Sequence, residues 1–135
     1  MLTFKQFLEE RVRNDDQAIK LGSYIAKKHG GKIPLKGYTV PNEIRKVAIG
    51  GPAIFKSVFK KPKQETVNTS DLIPTQKHTH FDADKARNKF GSDEPIDVLH
   101  HGGKKYIING HHRFREATLK GKTSIQANIH TFGKQ

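Results

Sequence analysis

A short run near the C-terminus, "GHHR" at residues 110–113, combines residue types that bind phosphates and act on them. It follows the apolar segment "YII" and precedes a stretch with helical spacing. A strand that ends at a glycine and turns into a helix leaves unpaired backbone N–H groups, which attract anions. Arg113 can add a two-pronged guanidinium fork that a lysine cannot reproduce. The run therefore predicts a phosphate site at Gly110 and Arg113.

The two adjacent histidines, His111 and His112, are candidates for proton transfer. An imidazole changes its charge near neutral pH, so it can donate or accept a proton during phosphoester chemistry. Successive helical residues point about 100° apart, so only one of the pair is expected to face a ligand. The alternative is that both are polar residues at a helix start, satisfied by backbone or water.

A second cluster of polar residues lies in "QKHTHFDAD", where two histidines and two aspartates alternate. In an extended chain all four would share a face, as a metal site requires. If Asp82 caps a helix, the alternation fails. The polar loop with a helix cap is the favoured interpretation, so no metal site is predicted.

The charge of the chain favours an anionic partner. Net charge is +12 and the pI is near 10, which suits a nucleic acid, a nucleotide or an acidic protein. Residues 1–63 hold 14 lysines and arginines against 5 acids, and residues 64–135 hold 11 against 8. The segment "PAIFKSVFKKPK" is predicted to be an amphipathic helix whose aromatic side chains pack on the main domain. Its basic residues are candidates for contacts with nucleic acid: Lys56, Lys60, Lys61 and Lys63.

Several classes of protein are disfavoured by what the sequence lacks. There is no cysteine, which excludes disulfides, a thiol nucleophile and a cysteine–zinc site. No apolar run approaches membrane-spanning length, and the amphipathic start "MLTFKQFLEERVR" carries acids, unlike a secretory signal. No membrane partner is predicted, and a cytoplasmic location is the default.

The elements that position the motif divide the chain near Lys63. Residues 1–63 are predicted to form a basic, mainly helical region. Residues 64–135 show the order β, α, β, β, α, β, with glycine turns at "HHGG" and at Gly121. The predicted fold class is therefore α+β, with a compact mixed sheet and helices preceded by the basic helical segment.

Four segments in this order resemble the ParB/sulfiredoxin superfamily, in particular its phage-type ParB-like nuclease branch. They are "VNTSDLIPTQ", "DEPIDVL", "KKYIINGHHRFREATLKG" and "TSIQANI". The resemblance spans Val67 to Ile129. It implies that Asn109, Gly110 and Arg113 bind nucleotide phosphates, and that Gln76 and His80 line the same pocket from a turn folded over the motif.

Branches of this superfamily catalyse different reactions on the same fold, and the residues at the motif indicate which of these reactions this chain could catalyse. Sulfiredoxins carry a catalytic cysteine at the position of His111, so that reduction is excluded here. A serine-kinase branch carries an acid where this chain has Asn109, which weakens a kinase assignment. A nuclease branch remains, in which His111 and His112 would be catalytic.

Two functions follow as hypotheses. The first is a ParB-like nuclease acting on DNA phosphodiesters, with a divalent cation as a candidate cofactor. The second is a non-catalytic module of a phage that binds DNA or a nucleotide. It would act as a nucleotide-dependent switch, with a nucleoside triphosphate as the candidate ligand. The start "MLTFKQFLEE" resembles segments of proteins packaged in the heads of T4-like phages, which suggests a host cytoplasm or a virion. The oligomeric state is left open.

Overall fold

The computed structural model describes residues 15–35, 38, 40–50, 55–90 and 94–133. Five α-helices lie in these ranges: α1 Asp15–Lys28, α2 Asn42–Gly50, α3 Phe55–Val58, α4 Ala83–Lys89 and α5 His111–Leu119. Seven β-strands accompany them: β1 Lys32–Pro34, β2 Lys63–Asn68, β3 Leu72–Pro74, β4 His78–His80, β5 Ile96–His101, β6 Lys104–Asn109 and β7 Ser124–His130. The α+β fold class is confirmed.

Local signals in the sequence account for several element boundaries. Helix α1 begins with two acids and ends with two lysines, which matches the polarity of the helix dipole. Helix α4 is capped by Asp82, whose Oδ1 accepts hydrogen bonds from the N–H groups of Asp84 and Lys85 at 2.9 and 3.2 Å. The hairpin between β5 and β6 turns at Gly102 and Gly103, both with positive φ. These turns and caps agree with the predictions.

The main sheet has five strands in the order β2-β7-β5-β6-β3. The β3–β6 and β5–β7 pairs are parallel, whereas β2–β7 and β5–β6 are antiparallel. A separate antiparallel pair joins β1 to β4. The sheet is therefore mixed, and the β6 strand that leads into the motif lies inside it between β5 and β3.

Both faces of the main sheet are covered. One face packs against α2 and α3 through a buried cluster: Ile44, Val47, Phe55, Phe59, Leu99, Tyr106 and Ile108. The other carries a second buried cluster, against which Phe114 of α5 packs: Val67, Leu72, Ile96, Val98, Ile107 and Ala127. Helix α1 and strand β1 form a third cluster with α4 and the end of α5: Ala18, Ile19, Leu21, Ala26, Ile33, Ala86, Phe90 and Leu119.

The helices before Lys63 therefore share hydrophobic clusters with the strands and helices after it. Strand β2 itself begins at Lys63, and a separation into regions 1–63 and 64–135 stays a prediction. Helix α3 spans Phe55–Val58, so the segment predicted as one amphipathic helix is helical over a single turn within its described residues, 55–63. Phe55 and Phe59 are buried, as the sequence indicated. The amphipathic start "MLTFKQFLEERVR" lies outside the described residues.

Among the described helices, none combines the length and the apolar character that crossing a membrane requires.

Candidate phosphate-binding site

The turn between β6 and α5 depends on Gly110. Its φ of 97° and ψ of 26° lie in the left-handed region, and it forms the N-cap of α5. A Cβ atom added there would lie 2.7 Å from Cγ2 of Ile96 and 2.9 Å from a terminal nitrogen of Arg113. A side chain is therefore excluded both by backbone conformation and by space. The predicted strand–glycine–helix turn is confirmed.

The first turn of α5 offers backbone donors to a ligand. The initial N–H groups of any helix lack intrahelical partners, and here no side chain caps them. The first ladder bond runs from the N–H of Phe114 to the carbonyl oxygen of Gly110 at 3.0 Å. The N–H groups of His111, His112 and Arg113 thus precede the helical ladder, where the helix dipole also favours an anion.

A cleft of about 340 Å³ opens at this turn. Its described lining comes from α2, from the turn after β3 and from the motif: Ala48, Gln76, Ile108, Asn109, Gly110, His111, His112 and Arg113. The structure therefore brings six of the predicted site residues together. His80 does not belong to this lining, because it lies on β4 opposite Lys32 of β1.

The two histidines of the motif have different surroundings. His111 is only 4% exposed, and its Nε2 accepts a hydrogen bond from the N–H of Thr75 at 3.0 Å. Burial lowers the pKa of His111 to about 4, and the charge of His112 acts in the same direction. The neutral ring of His111 thus holds the turn after β3 onto the start of α5, whereas His112 is exposed.

A second cavity, of about 450 Å³, is also lined by His112 and Arg113. These two residues line both spaces. The remaining described lining comes from the α4 region, the loop before β5 and α5: Phe81, Asp82, Lys85, Ala86, Asn88, Glu94 and Glu116. An exposed imidazole and a guanidinium are therefore shared by the cleft at Gly110 and a cavity that is also lined by carboxylates.

Arg113 already has an acidic partner. One terminal nitrogen donates to Oε2 of Glu94 at 3.1 Å, and the other donates to the carbonyl oxygen of Pro95 at 3.1 Å. The Arg113 side chain is 23% exposed and that of Glu94 is 76% exposed. A phosphate at Arg113 would compete with the carboxylate of Glu94. Sequence reasoning missed this acid, because Glu94 lies 19 residues before its partner.

The predicted basic contacts lie apart from the cleft. Lys60 and Lys61 are exposed between α3 and β2, and Lys63 begins β2, where its Nζ lies 3.8 Å from Glu65. Strands β2 and β6 are three spacings apart in the sheet, roughly 14 Å at the usual strand separation. The side chain of Lys56 lies outside the described residues.

A buried polar chain behind the motif was also missed from the sequence. Nε2 of His130 lies 2.9 Å from Oδ1 of Asp97, and Nδ2 of Asn109 donates to Oδ2 of Asp97 at 3.0 Å. His130 alternates with the polar residues Gln126 and Asn128 along β7, yet it is 4% exposed and lies beside the rings of Phe55 and Phe59. The reason is that α3 covers this face.

An irregularity in the sheet aligns the members of this chain. Asp97 pairs with Asn109 but Val98 pairs with Ile107, so one extra residue of β6 is accommodated as a bulge. Asn109 therefore reaches the same face as Asp97. Burial acts to raise the pKa of Asp97, but hydrogen bonds from His130, Asn109 and Asn128 and the charge of His130 outweigh it and lower the pKa.

Among the described residues, no three or more histidine, cysteine, aspartate or glutamate side chains are grouped so that they could hold a metal ion. In "QKHTHFDAD" the extended strand ends at His80 and Asp82 caps α4, so the alternation stops there.

Two solved structures align with part of this chain. Sulfiredoxin from Arabidopsis thaliana is 20% identical with a TM-score of 0.41, over 55% of this chain and 88% of that one. C-terminally truncated chromosome-partitioning protein ParB from Caulobacter crescentus, complexed to the centromeric parS site, is 21% identical with a TM-score of 0.39. That alignment covers 50% of this chain and 37% of the ParB chain.

The comparison with curated proteins gives no match. The family model described as ParB N-terminal domain matches residues 58–135, which is more than half of the chain and includes β2 to β7 and the whole motif. The chain therefore belongs to the ParB N-terminal domain family.

Proposed function

We propose that this domain binds nucleic acid, with DNA as the favoured partner, by holding a phosphate at the turn from β6 to α5. The observation that carries the proposal is the left-handed turn at Gly110 beside Arg113. It leaves the first N–H groups of α5 next to a guanidinium in one cleft. Helix dipole and backbone donors contribute about 0.3–1 kcal/mol at an exposed site, and a charged hydrogen bond contributes about 1.5–3 kcal/mol.

The charge of the chain supports the same partner. The net charge of +12 draws a polyanion toward the surface, and Lys60, Lys61 and Lys63 lie exposed at the β2 edge of the sheet. A nucleic acid strand can reach both places, because its phosphates repeat along the backbone and the strands β2 and β6 beside them are three spacings apart, roughly 14 Å. A free nucleotide would use the cleft alone, and is the alternative ligand.

The binding test compares two arginines that each pair with an acid. Arg113 bonds Glu94, and Arg87 bonds Asp84 at 2.6 Å on the surface of α4. Arg113→Ala should weaken binding of a short duplex by about tenfold to a hundredfold, the range for a lost charged hydrogen bond. Arg87→Ala removes the same charge away from the cleft and should have a much smaller effect.

Arg113→Lys serves as a second variant, since it keeps the charge and loses the fork. Thermal melting of each variant shows that it is folded. Equal losses for Arg113→Ala and Arg87→Ala would mean that only overall charge matters, and the proposed site would be rejected. Binding should also fall about a thousandfold or more between 50 and 200 mM salt if six phosphates are contacted.

A nuclease is the second candidate, and the observation that favours it is the exposed ring of His112 beside Arg113. In this mechanism His112 protonates the leaving oxygen of a phosphodiester or accepts a proton from the attacking water. His111 is assigned a positioning role instead, because its ring is buried and bonded to Thr75. A divalent cation would supply Lewis-acid chemistry at the phosphate oxygens.

Plasmid nicking tests this activity, with and without magnesium, manganese or zinc. His112→Ala should leave duplex binding within a few fold and lower turnover by about 10²–10⁴. If the wild-type protein nicks nothing under these conditions, the domain is a non-catalytic binding module. A phage setting and packaging in the virion stay predictions from the first ten residues, which lie outside the described part of the chain.

A further inference from the structure

The buried chain His130–Asp97–Asn109 ends at the cleft. His130 and Asp97 side chains are 6% and 17% exposed, and Asn109 is half-buried among the cleft-lining residues. Neither His130 nor Asp97 lines the cleft among the described residues. Any effect of His130 and Asp97 on the binding of a ligand must therefore be transmitted by the side chain of Asn109.

The carboxylate of Asp97 determines which way the amide of Asn109 is turned. An ionised carboxylate only accepts hydrogen bonds, so it must receive the Nδ2 group of Asn109, as the 3.0 Å contact shows. The amide oxygen then lies on the other branch of the side chain. It makes no hydrogen bond to any described residue.

His130 keeps Asp97 an acceptor. Nε2 of His130 faces a carboxylate oxygen that can only accept, so Nε2 carries a proton whether the ring is neutral or charged, and Nδ1 is buried without a partner among the described residues. Nε2 then donates to Oδ1 of Asp97, while Asn109 donates to Oδ2. Both carboxylate oxygens are thus occupied by donors, and the amide of Asn109 has one favourable orientation.

We propose that Asp97, held by His130, orients Asn109 so that its amide oxygen accepts a hydrogen bond from the ligand in the cleft. The phosphate site beside it consists of donors, so this oxygen is an acceptor next to an anion site. An acceptor repels bare phosphate and binds a hydroxyl or amine. The recognised ligand therefore carries such a donor close to its phosphate: a base amine in DNA, or a sugar hydroxyl or base amine in a free nucleotide. Asp97 and His130 are positioning residues, and the assignment rests on the proposed phosphate site.

Asp97→Asn is the informative variant, because it keeps the shape of the side chain and replaces one acceptor oxygen with an NH₂ donor. The Nε2–H of His130 would retain the carbonyl oxygen of the new amide as its acceptor, which turns the NH₂ group toward Asn109. Two facing NH₂ groups cannot bond, so Asn109 must rotate its amide. The cleft then receives a donor in place of an acceptor.

Two probes separate the acceptor from the phosphate site: adenosine triphosphate and inorganic tripolyphosphate. At mildly alkaline pH, tripolyphosphate has phosphate oxygens but no hydrogen-bond donor. Asn109→Ala should weaken adenosine triphosphate by about threefold to tenfold, the range for one hydrogen bond, and leave tripolyphosphate within about twofold. Asn68→Ala, at an exposed asparagine that ends β2 away from both cavities, is the matched control and should change neither.

The double variant shows whether Asp97 acts through Asn109. Asp97→Asn should lower affinity for adenosine triphosphate in the wild-type background and have no further effect in the Asn109→Ala background. Its effect on tripolyphosphate should be absent or a gain. An equal loss for both probes, or a loss that persists without Asn109, would show a merely structural role and overturn the proposal. An adenosine triphosphate analogue without sugar hydroxyls distinguishes a hydroxyl donor from the base amine.

A measurement without ligand keeps this inference separate from the proposed function. Solvent exchange of the Asn109 side-chain NH₂ protons, followed by NMR, should be slow in the wild type and faster in Asp97→Asn. Unchanged exchange would overturn the positioning role. If neither probe binds the wild type while exchange responds as expected, the phosphate site fails, and the ligand assignment fails with it.

Discussion

Replacing Gly110 by alanine should destabilise the protein more than the same change at any turn glycine with open space around it. The φ of 97° is one cause, since a left-handed conformation costs an L-residue about 1–2 kcal/mol. The second cause is space, because the new Cβ would lie 2.7 Å from Cγ2 of Ile96. Ile96 is fully buried among the strands, so it cannot move aside freely.

Overpacking of this kind costs about 1–3 kcal/mol, so the total for Gly110→Ala is about 2–5 kcal/mol. Domains of this size lose roughly 4 °C in Tm per kcal/mol, which corresponds to a fall of about 8–20 °C. Gly102→Ala is the matched control. Its φ of 61° is also positive, but nothing lies within 4 Å of the added Cβ, so only the conformational cost of about 1–2 kcal/mol applies.

Urea unfolding of both variants, monitored by circular dichroism, gives the two free energies of unfolding. Gly110→Ala should lose at least about 1 kcal/mol more than Gly102→Ala, since only the former adds overpacking. Equal losses would refute the close approach of Ile96 to the turn, and with it the reason given for a glycine at this position. Gly110→Ala should also weaken phosphate binding. The added Cβ would lie 2.9 Å from a terminal nitrogen of Arg113 and would displace the guanidinium.

Three other changes have defined outcomes. Glu94→Gln removes the acid that occupies Arg113, so affinity for tripolyphosphate should rise by about twofold to fivefold in calorimetry, as expected for an exposed ion pair. Because the pKa of His111 is about 4 when folded against an ordinary 6.5, stability should be complete above pH 6.5 and fall by up to about 3 kcal/mol as pH drops toward 4. His111→Ala should flatten this dependence in urea titrations and His112→Ala should not. Deleting residues 1–63 uncovers two hydrophobic clusters, so we expect loss of cooperative thermal unfolding.

Each of these outcomes has a contrary result. Unchanged affinity in Glu94→Gln, with Asp84→Asn as the matched acid on α4, would mean that Glu94 does not compete with phosphate. A pH dependence that survives His111→Ala would assign the acid sensitivity to another group. A sharp, cooperative melt of the truncated protein would support an independent domain beginning near residue 64.

Local signals in the sequence were sufficient for the turns and caps. Gly110 after an apolar run, the Gly102–Gly103 hairpin and Asp82 before α4 all act through their own backbone neighbourhood. Chemistry that depends on two or three consecutive residues, such as the donors at the start of α5, was therefore predictable. Helix geometry predicted that His111 and His112 point in directions about 100° apart, but not which of the two is buried. Burial of His111 depends on its contact with Thr75, which lies in a turn distant in sequence.

Contacts between distant strands were not predictable in this way. Asp97 and His130 meet because β5 and β7 are parallel neighbours, and Asn109 joins them because a bulge shifts β6 by one residue. The aspartate in "PIDVL" interrupts an apolar strand, which is the one trace of this network in the sequence. Alternation along β7 puts His130 on the same face as the polar residues Gln126 and Asn128, but it does not reveal that α3 covers that face.

Backbone amide NMR during a titration with a short DNA duplex tests the central claim most directly. If the turn from β6 to α5 holds a phosphate, the N–H signals of residues 110–113 shift saturably and with one affinity. Arg113→Ala should weaken that response, and signals from Lys60 to Lys63 should shift at the same concentrations. If the duplex binds and shifts only the lysine segment, or other surfaces, while residues 110–113 stay unchanged, the turn is not the phosphate site.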